Sequence, residues 1–351
     1  MRLPIPSAAL IGVCIAIASS SAHAETKRLT GQERAEAVGR GLVGSLAPKA
    51  VVETIDGQVI DLGKLYGKQA VYIEFWATWC VPCRKQMPHL EKVYTTAGPD
   101  LAVIAVNIGF NDTLEDVRQY RRTVGISMPI VIDDGTLGEA FQLRVTPQHV
   151  VIGRDGRIQY VGHFADEQLD AALLAARTTQ SLQSSAADGV KLSSSPAYSV
   201  GDRLPDISAT TLPGKTFRAR DASANTPTVL VFLSPWCESY LAASRPALST
   251  RCRQVREQID SLSQNVSARW LGVASGLWAT NADLRAYEAE HKTRIPLALD
   301  EQGVWFRSFR VMNVPTVLIA DADGRIVRRF EGFDANLPAE LKRIAASPAH
   351  H

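Results

Sequence analysis

Phe75-Trp76-Ala77-Thr78-Trp79-Cys80-Val81-Pro82-Cys83 is the stretch from which the rest of the chain can be read. The run Val71–Trp76 is apolar, β-branched and aromatic, the composition of a buried strand. Residues 81–96 carry helical spacing, so the two cysteines stand where a strand turns into a helix. A helix N-terminus has unpaired N–H groups and partial positive charge. A thiolate there is stabilised and becomes a nucleophile near neutral pH. Two intervening residues keep a second thiol within reach of the first, so one sulfur attacks a disulfide and the other resolves the product. Cys80, nearer the helix end and the solvent, is read as the nucleophile and Cys83 as the resolving thiol, with Arg84 and Lys85 adding positive charge nearby. Structural zinc is the main rival, but it commonly uses two such pairs, and the chain has only one. A purely structural disulfide across so small a loop would add little chain-entropy stabilisation.

Outward from this stretch, the chain repeats itself. Residues 43–80 align with 200–237 at a constant offset of 157. Val43-Gly44, Pro48, Thr54, Gly57, Phe75 and Trp79-Cys80 meet Val200-Gly201, Pro205, Thr211, Gly214, Phe232 and Trp236-Cys237. Further on the offset is 168: Pro147 meets Pro315, and Asp155-Gly156-Arg157-Ile158 meets Asp323-Gly324-Arg325-Ile326. Two copies of one domain, the second with eleven extra residues, account for this; the period is domain-sized and not that of a solenoid. Strand-like runs at 101–108, 128–132 and 149–152 alternate with helical spacing at 113–124, and an Asp-Gly turn leads into 158–161. Strands alternating with helices imply an α/β layer structure, and the closing hairpin makes its sheet mixed.

The chain has 351 residues, room for two domains. Hydrophobic residues are 46% and charged residues 21%, enough to bury a core. Lys+Arg 38 against Asp+Glu 36 gives no global drive toward nucleic acid or anionic lipid. Arg2, the apolar run Leu10–Ala18 and the small-x-small Ala22-His23-Ala24 have the form of an export signal cleaved after Ala24. The apolar run is short of the roughly 20 residues of a membrane span. An uncleaved signal acting as an anchor is the alternative, and Cys14 lies inside the apolar run, where lipidation is not expected. The expected organisation is a signal at 1–24, a helical lead-in at 25–42, a domain with the cysteine pair at 43–177, a Ser/Thr/Ala/Gln-rich linker at 178–199 and a second domain at 200–347. The mature protein, exported to a compartment that permits disulfides, keeps Cys80, Cys83, Cys237 and Cys252. The terminal His350-His351 reads as a frayed end.

The segment Phe75–Cys83 followed by Met87-Pro88, the Gly–Pro lead-in, Val145-Thr146-Pro147 and the final Asp-Gly hairpin resemble the exported TlpA/ResA/CcmG-type thiol–disulfide oxidoreductases, over roughly residues 43–175. The resemblance implies two tandem thioredoxin-like three-layer α/β/α domains with a mixed central sheet. It implies that Pro147 is a cis-proline facing the disulfide and that Thr146 offers backbone hydrogen bonds to an extended substrate. Trp79 is expected to pack around the site and form a rim for partners, and Pro82 to join Trp79 and Thr146 in binding substrate. Glu74 stands where classical thioredoxins keep a buried acid. The apolar neighbours Tyr72, Ile73, Phe75 and Trp76 argue for burial, and a buried carboxyl can shuttle protons to the resolving thiol. No cofactor or resident metal is implied.

The second copy lacks this dithiol. Tyr240 stands at the place of Cys83, Ser239 replaces Pro82 and Val231 replaces Glu74, while Val314-Pro315-Thr316 keeps the cis-proline position. A lone Cys237 cannot complete the exchange by itself. Fifteen residues along a straight helix span about 22 Å, beyond the roughly 7 Å limit between disulfide Cα atoms. A Cys237–Cys252 bond therefore requires a broken helix, for which Pro246 offers the break; otherwise Cys252 is a small buried residue. A one-cysteine peroxidase is disfavoured, because Ser234 stands where the peroxiredoxin family has threonine. The second domain is expected to dock a partner, present substrate or dimerise.

The functional expectation is a periplasmic disulfide reductase acting on exported protein disulfides and recharged by a membrane electron donor of DsbD/CcdA type, with no nucleic-acid partner. Val81-Pro82 does not fix the direction of exchange, so an oxidase or isomerase stays open. Two readings stand outside catalysis: a copper-delivery protein using the Cys80–Cys83 thiolates, and a scaffold whose redox chemistry is vestigial.

Overall fold

A computed structural model describes residues 29–180, 197–221 and 223–347. The expected signal, the first residues of the lead-in, most of the linker and the terminal histidines lie outside the described residues.

The first half runs α1 (Gly31–Leu42), β1 (Val51–Glu53), β2 (Val59–Asp61), α2 (Leu62–Leu65), β3 (Ala70–Trp76), α3 (Val81–Thr96), β4 (Leu101–Asn107), α4 (Leu114–Val124), β5 (Ile130–Ile132), α5 (Thr136–Ala140), β6 (Gln148–Ile152), β7 (Ile158–Gly162) and α6 (Glu167–Thr178). The second runs β8 (Ser208–Thr210), β9 (Thr216–Arg218), β10 (Thr228–Leu233), α7 (Cys237–Tyr240), α8 (Pro246–Asn265), β11 (Arg269–Ser275), α9 (Asn281–His291), β12 (Leu297–Asp300), α10 (Val304–Ser308), β13 (Thr316–Ala320), β14 (Ile326–Glu331) and α11 (Leu337–Ala345).

Each half holds a five-stranded sheet, ordered β5-β4-β3-β6-β7 in the first and β12-β11-β10-β13-β14 in the second. The pairs β3–β4 and β4–β5 are parallel, β3–β6 and β6–β7 antiparallel, and the second sheet repeats those directions. Parallel neighbours need a crossover, and α3 and α4 supply it. Every residue of β3 and of β10 is buried, which requires cover on both faces and makes each half three-layered. The fold is thus the mixed α/β thioredoxin-like arrangement, built twice. Local devices recur as well: the helix after the second parallel strand opens with a capping box in both halves, Thr113 with Asp116 and Thr280 with Asp283. The Asp-Gly turns put Gly156 and Gly324 at φ 76° and 74°, a left-handed conformation that glycine takes without a Cβ penalty.

The halves differ after β3 and β10. Where the first has the single helix α3, the second has a four-residue turn of helix, a break and the twenty-residue α8 opening on Pro246. Most of the extra length of the second half lies in this segment.

Candidate functional site

Cys80 is the N-cap of α3, and its sulfur accepts the Cys83 N–H at 3.3 Å. Pro82 sits in the first turn, where its missing N–H costs no helical hydrogen bond. Cys80 and Cys83 are joined in a disulfide with Cα atoms 5.3 Å apart. A second donor reaches the same sulfur: the Thr146 hydroxyl lies 3.4 Å from Cys80 Sγ. Thr146 precedes Pro147 through a cis peptide bond, as Val314 precedes Pro315 in the second half. The Pro147 carbonyl is 2.7 Å from His163 Nδ1.

On the strand that leads into Cys80 lies a buried polar group. Glu74 on β3 is fully buried, neither of its oxygens has a hydrogen-bond partner, and burial pushes its carboxyl up to about 8. His149 on β6 faces it, with Nδ1 3.9 Å from Glu74 Oε2. That nitrogen lies 2.9 Å from the Tyr72 hydroxyl, while Nε2 lies 3.0 Å from Gln86 Oε1 on α3. The amide oxygen only accepts, so Nε2 carries the proton and Nδ1 accepts from Tyr72. Burial pulls the His149 imidazole down to about 3, so it is neutral across the physiological range. The pair is a neutral imidazole beside a carboxyl that itself titrates near neutrality.

Over the disulfide lies the second half of the chain. Trp79 packs against Trp236 and Trp278, with ring centroids 5.1 and 4.9 Å away. The Tyr240 hydroxyl accepts the Val81 N–H at 2.9 Å, and the Trp278 indole N–H donates to Thr146 Oγ1 at 3.0 Å. The two halves exchange backbone bonds reciprocally. Asn111 N–H donates to the Met312 carbonyl at 2.8 Å and Trp278 N–H to the Arg144 carbonyl at 3.4 Å; each acceptor lies three residues before a cis-proline. Val314 N–H donates to Asn111 Oδ1 at 2.9 Å. To one side, Arg245 pairs with Asp112 at 2.8 Å and Asp116 at 3.4 Å. Thr78 and Asn107 also donate to the Asp112 carboxylate. Between the halves runs a cleft of about 530 Å³ that reaches Cys80, walled by Trp79, Pro82, His163, Trp236, Tyr240 and Trp278.

A profile described as the AhpC/TSA family matches residues 43–161. The thiol-disulfide oxidoreductase ResA of Halalkalibacterium halodurans is 37% identical over 117 residues, 33% of this chain and 65% of that protein. The thioredoxin-like protein YneN of Bacillus subtilis is 32% identical over 133 residues, 37% of this chain and 78% of that protein. The chain belongs to the ResA-like thiol–disulfide oxidoreductase family. A solved thiol:disulfide interchange protein of Chlorobium tepidum is 28% identical, with TM-score 0.33, covering 38% of this chain and 96% of that one.

In this ResA-like chain the structure brings Cys80, Cys83, Thr146, Pro147, Pro82 and Trp79 together at one end of the first sheet, while Glu74 is buried on β3 beside His149. Cys80, expected nearer the solvent than Cys83, is 2% exposed against 0% and is the one of the two that lines the cleft. Trp79, expected to pack around the site and form a rim, is 2% exposed and packs against Trp236 and Trp278 of the second half. Beyond the backbone role expected of Thr146, its side-chain hydroxyl is engaged on both sides. Arg84 and Lys85 are exposed. Cys237 and Cys252 form a second disulfide, with Cα atoms 6.3 Å apart, across the break before Pro246; Cys237 is fully buried. Among the described residues no cluster of three or more His, Cys, Asp or Glu side chains is arranged to hold a metal ion. No described helix is long and apolar enough to cross a membrane.

Sequence reasoning missed His149, Gln86, Tyr240 and Trp278. His149 had a signal: it lies two residues after Pro147 on the strand paired with β3, in register with Glu74. The repeat places Tyr240 at the position of Cys83, but nothing in the sequence says that it reaches the other half's site, and Trp278 had no signal at all.

Proposed function

We propose that this protein is an exported disulfide reductase that acts on extended segments of exported proteins through Cys80 and Cys83. The observation that carries this reading is the Cys80 sulfur at the N-cap of α3, with the Cys83 N–H and the Thr146 hydroxyl both directed at it. Hydrogen bonds to the charged form of a group favour that form, so the reduced Cys80 is held as a thiolate. The thiolate attacks one sulfur of the substrate disulfide, and the other sulfur leaves with the electron pair and takes a proton. Cys83 then gives up its proton and attacks Cys80 Sγ, releasing the second substrate thiol and leaving the Cys80–Cys83 disulfide. The dithiol is oxidised and the substrate reduced by two electrons. Glu74, with its carboxyl near 8, keeps its proton in most molecules at neutral pH, and its ionised fraction is the base that accepts the Cys83 proton in the second step. A membrane electron donor of DsbD/CcdA type would restore the dithiol.

The cleft supports an extended substrate. Cys80 is reached through about 530 Å³ of space between two domains, room for a strand or loop and not for a folded surface. The export-signal form of residues 1–24 supports a periplasmic location.

The test is the equilibrium reduction potential of the Cys80–Cys83 pair, titrated against dithiothreitol or glutathione in a Cys237→Ala, Cys252→Ala background. A value near or below that of thioredoxin, about −270 mV, supports a reductant. A value near that of DsbA, about −120 mV, overturns it in favour of disulfide formation.

A further inference from the structure

The second half of the chain lacks a dithiol of the Cys-x-x-Cys form, yet it places one side chain in direct contact with the residue that hydrogen-bonds the nucleophilic sulfur. We propose that Trp278 is a positioning residue for the thiol chemistry: its indole N–H fixes and polarises the Thr146 hydroxyl so that the hydroxyl proton is directed at Cys80 Sγ. The second domain is then part of the active site and not only a cover for it. This deepens the reading of Cys80 as an attacking thiolate and rests on it.

The argument is one of donors and acceptors. An indole N–H can only donate, and a hydroxyl has one proton and two lone pairs. Trp278 Nε1 lies 3.0 Å from Thr146 Oγ1, so one lone pair of that oxygen is occupied from the second domain. Thr146 is 2% exposed, which removes bulk water as a competitor for its proton. The acceptor that remains is Cys80 Sγ at 3.4 Å. In the disulfide this contact is weak. In the reduced state the sulfur is an anion, and a hydroxyl donating to it makes a charge-assisted bond roughly twice as strong as a neutral one. Donation by Trp278 withdraws charge from the Thr146 oxygen and makes its proton a better donor, the cooperativity expected of hydrogen-bonded chains at low dielectric.

The placement of Trp278 points the same way. Its backbone lies at φ 64°, a left-handed conformation that a large side chain adopts only at a cost. Its N–H is bonded to the Arg144 carbonyl, and its ring is held edge-on against both Trp79 and Trp236, at 4.9 and 5.5 Å between centroids. Strain of this kind persists where the surroundings over-determine a geometry, commonly at functional sites. The indole is locked by packing on two faces before it makes its one polar contact.

The experiment measures iodoacetamide modification of Cys80 in the reduced full-length protein, located by mass spectrometry, from about pH 5 to about pH 9, a span that brackets thiolate formation. The midpoint of that profile is the Cys80 pKa, and the plateau at high pH reports access. Trp278→Phe keeps the aromatic packing and removes the N–H. The expected result is a higher midpoint, with the rate below it reduced roughly two- to fivefold and the plateau unchanged. Thr146→Val should raise the midpoint further, by about tenfold in rate, and Thr146→Ser should retain it. In the Thr146→Val background Trp278→Phe should add nothing. The proposal is overturned if Trp278→Phe leaves the midpoint in place, or shifts it equally with and without the Thr146 hydroxyl. Should Trp278→Phe loosen the domain contact, the Val and Ser variants of Thr146 still decide: equal midpoints remove the hydroxyl from the relay. None of these outcomes depends on the direction of exchange, which the reduction potential of the unmodified protein tests separately.

Discussion

Trp79 and Trp236 occupy the same position in the two halves of the chain, and they stack on each other, with ring centroids 5.1 Å apart and planes 25° from parallel. Each immediately precedes the first cysteine of its half, so the two strand-to-helix turns meet face to face. The surface that in a single domain would be open to a partner is here occupied by the chain's own second domain. Cys80 is reached through a cleft and not from bulk solvent.

Arg245 should be the main polar fastener of this interface. It is about a quarter exposed and pairs with the buried Asp112 and the partly exposed Asp116. Burial already pushes the Asp112 carboxyl up, against hydrogen bonds from Asn107 and Thr78 and the charge of Arg245. Removing the guanidinium leaves an enclosed carboxylate without its counter-charge. Arg245→Ala should cost about 2–3 kcal/mol, less than the loss of a fully buried pair because water reaches one side. Urea denaturation of the oxidised protein would read it, and an unchanged midpoint would remove the pair from the account of the interface.

The two cysteines of the first half should behave differently when cut singly. Cys83→Ser leaves a nucleophile with no resolving thiol, so a mixed disulfide with a substrate peptide should accumulate and be seen as an adduct mass. Cys80→Ser should abolish insulin reduction and give no adduct. A Cys80→Ser protein that trapped substrate through Cys83 would reverse the assignment.

Glu74 makes stability fall as pH rises. Its folded-state value, about 8, lies above the ordinary 4.5, so between those limits the folded protein holds a proton that the unfolded chain has lost. Stability attributable to this group is present below about 4.5 and declines toward 8, at up to about 1.4 kcal/mol per pH unit. Glu74→Gln should remove that slope, and the gap between variant and parent should widen with pH across the window. Parallel unfolding curves at pH 5 and pH 8 would count against the raised value.

The Cys237–Cys252 disulfide should be structural. Its loop of fifteen residues predicts a loss of about 3 kcal/mol on replacing both cysteines by alanine. Cys237 is fully buried, so the exchange chemistry of Cys80 should continue in that variant. Loss of insulin reduction at a temperature where the variant remains folded would instead give the second disulfide a part in the reaction.

Much of each sheet was legible because its signals are local. The buried run Val71–Trp76, the helix at 81–96 and the Asp155-Gly156 turn each announce themselves within a few residues. The short hairpin β1–β2 was not read, since three-residue strands without a fully buried position leave too brief a pattern. The site was half legible. Cys80 and Cys83 follow from spacing, but the closure of the site by Trp236, Tyr240 and Trp278 does not. The break before Pro246 was anticipated as a condition for joining Cys237 to Cys252, and the two are joined across it.

By itself, then, the sequence determined the chemistry and the scaffold: a dithiol at a strand-to-helix turn, in an α/β domain whose pattern recurs 157 residues on. Periodicity, capping and turn residues act over one or two turns of chain, and those distances suffice to specify strands and helices. Only the tertiary structure decided that Glu74 and His149 share one buried pocket, and that Trp278 reaches Thr146 from 132 residues away. Contacts between domains follow from the shapes of two finished surfaces, to which each residue contributes only a small share, on the order of one part in 20–30. A tryptophan that completes a neighbour's active site therefore looks, along the chain, like any other apolar residue in a loop.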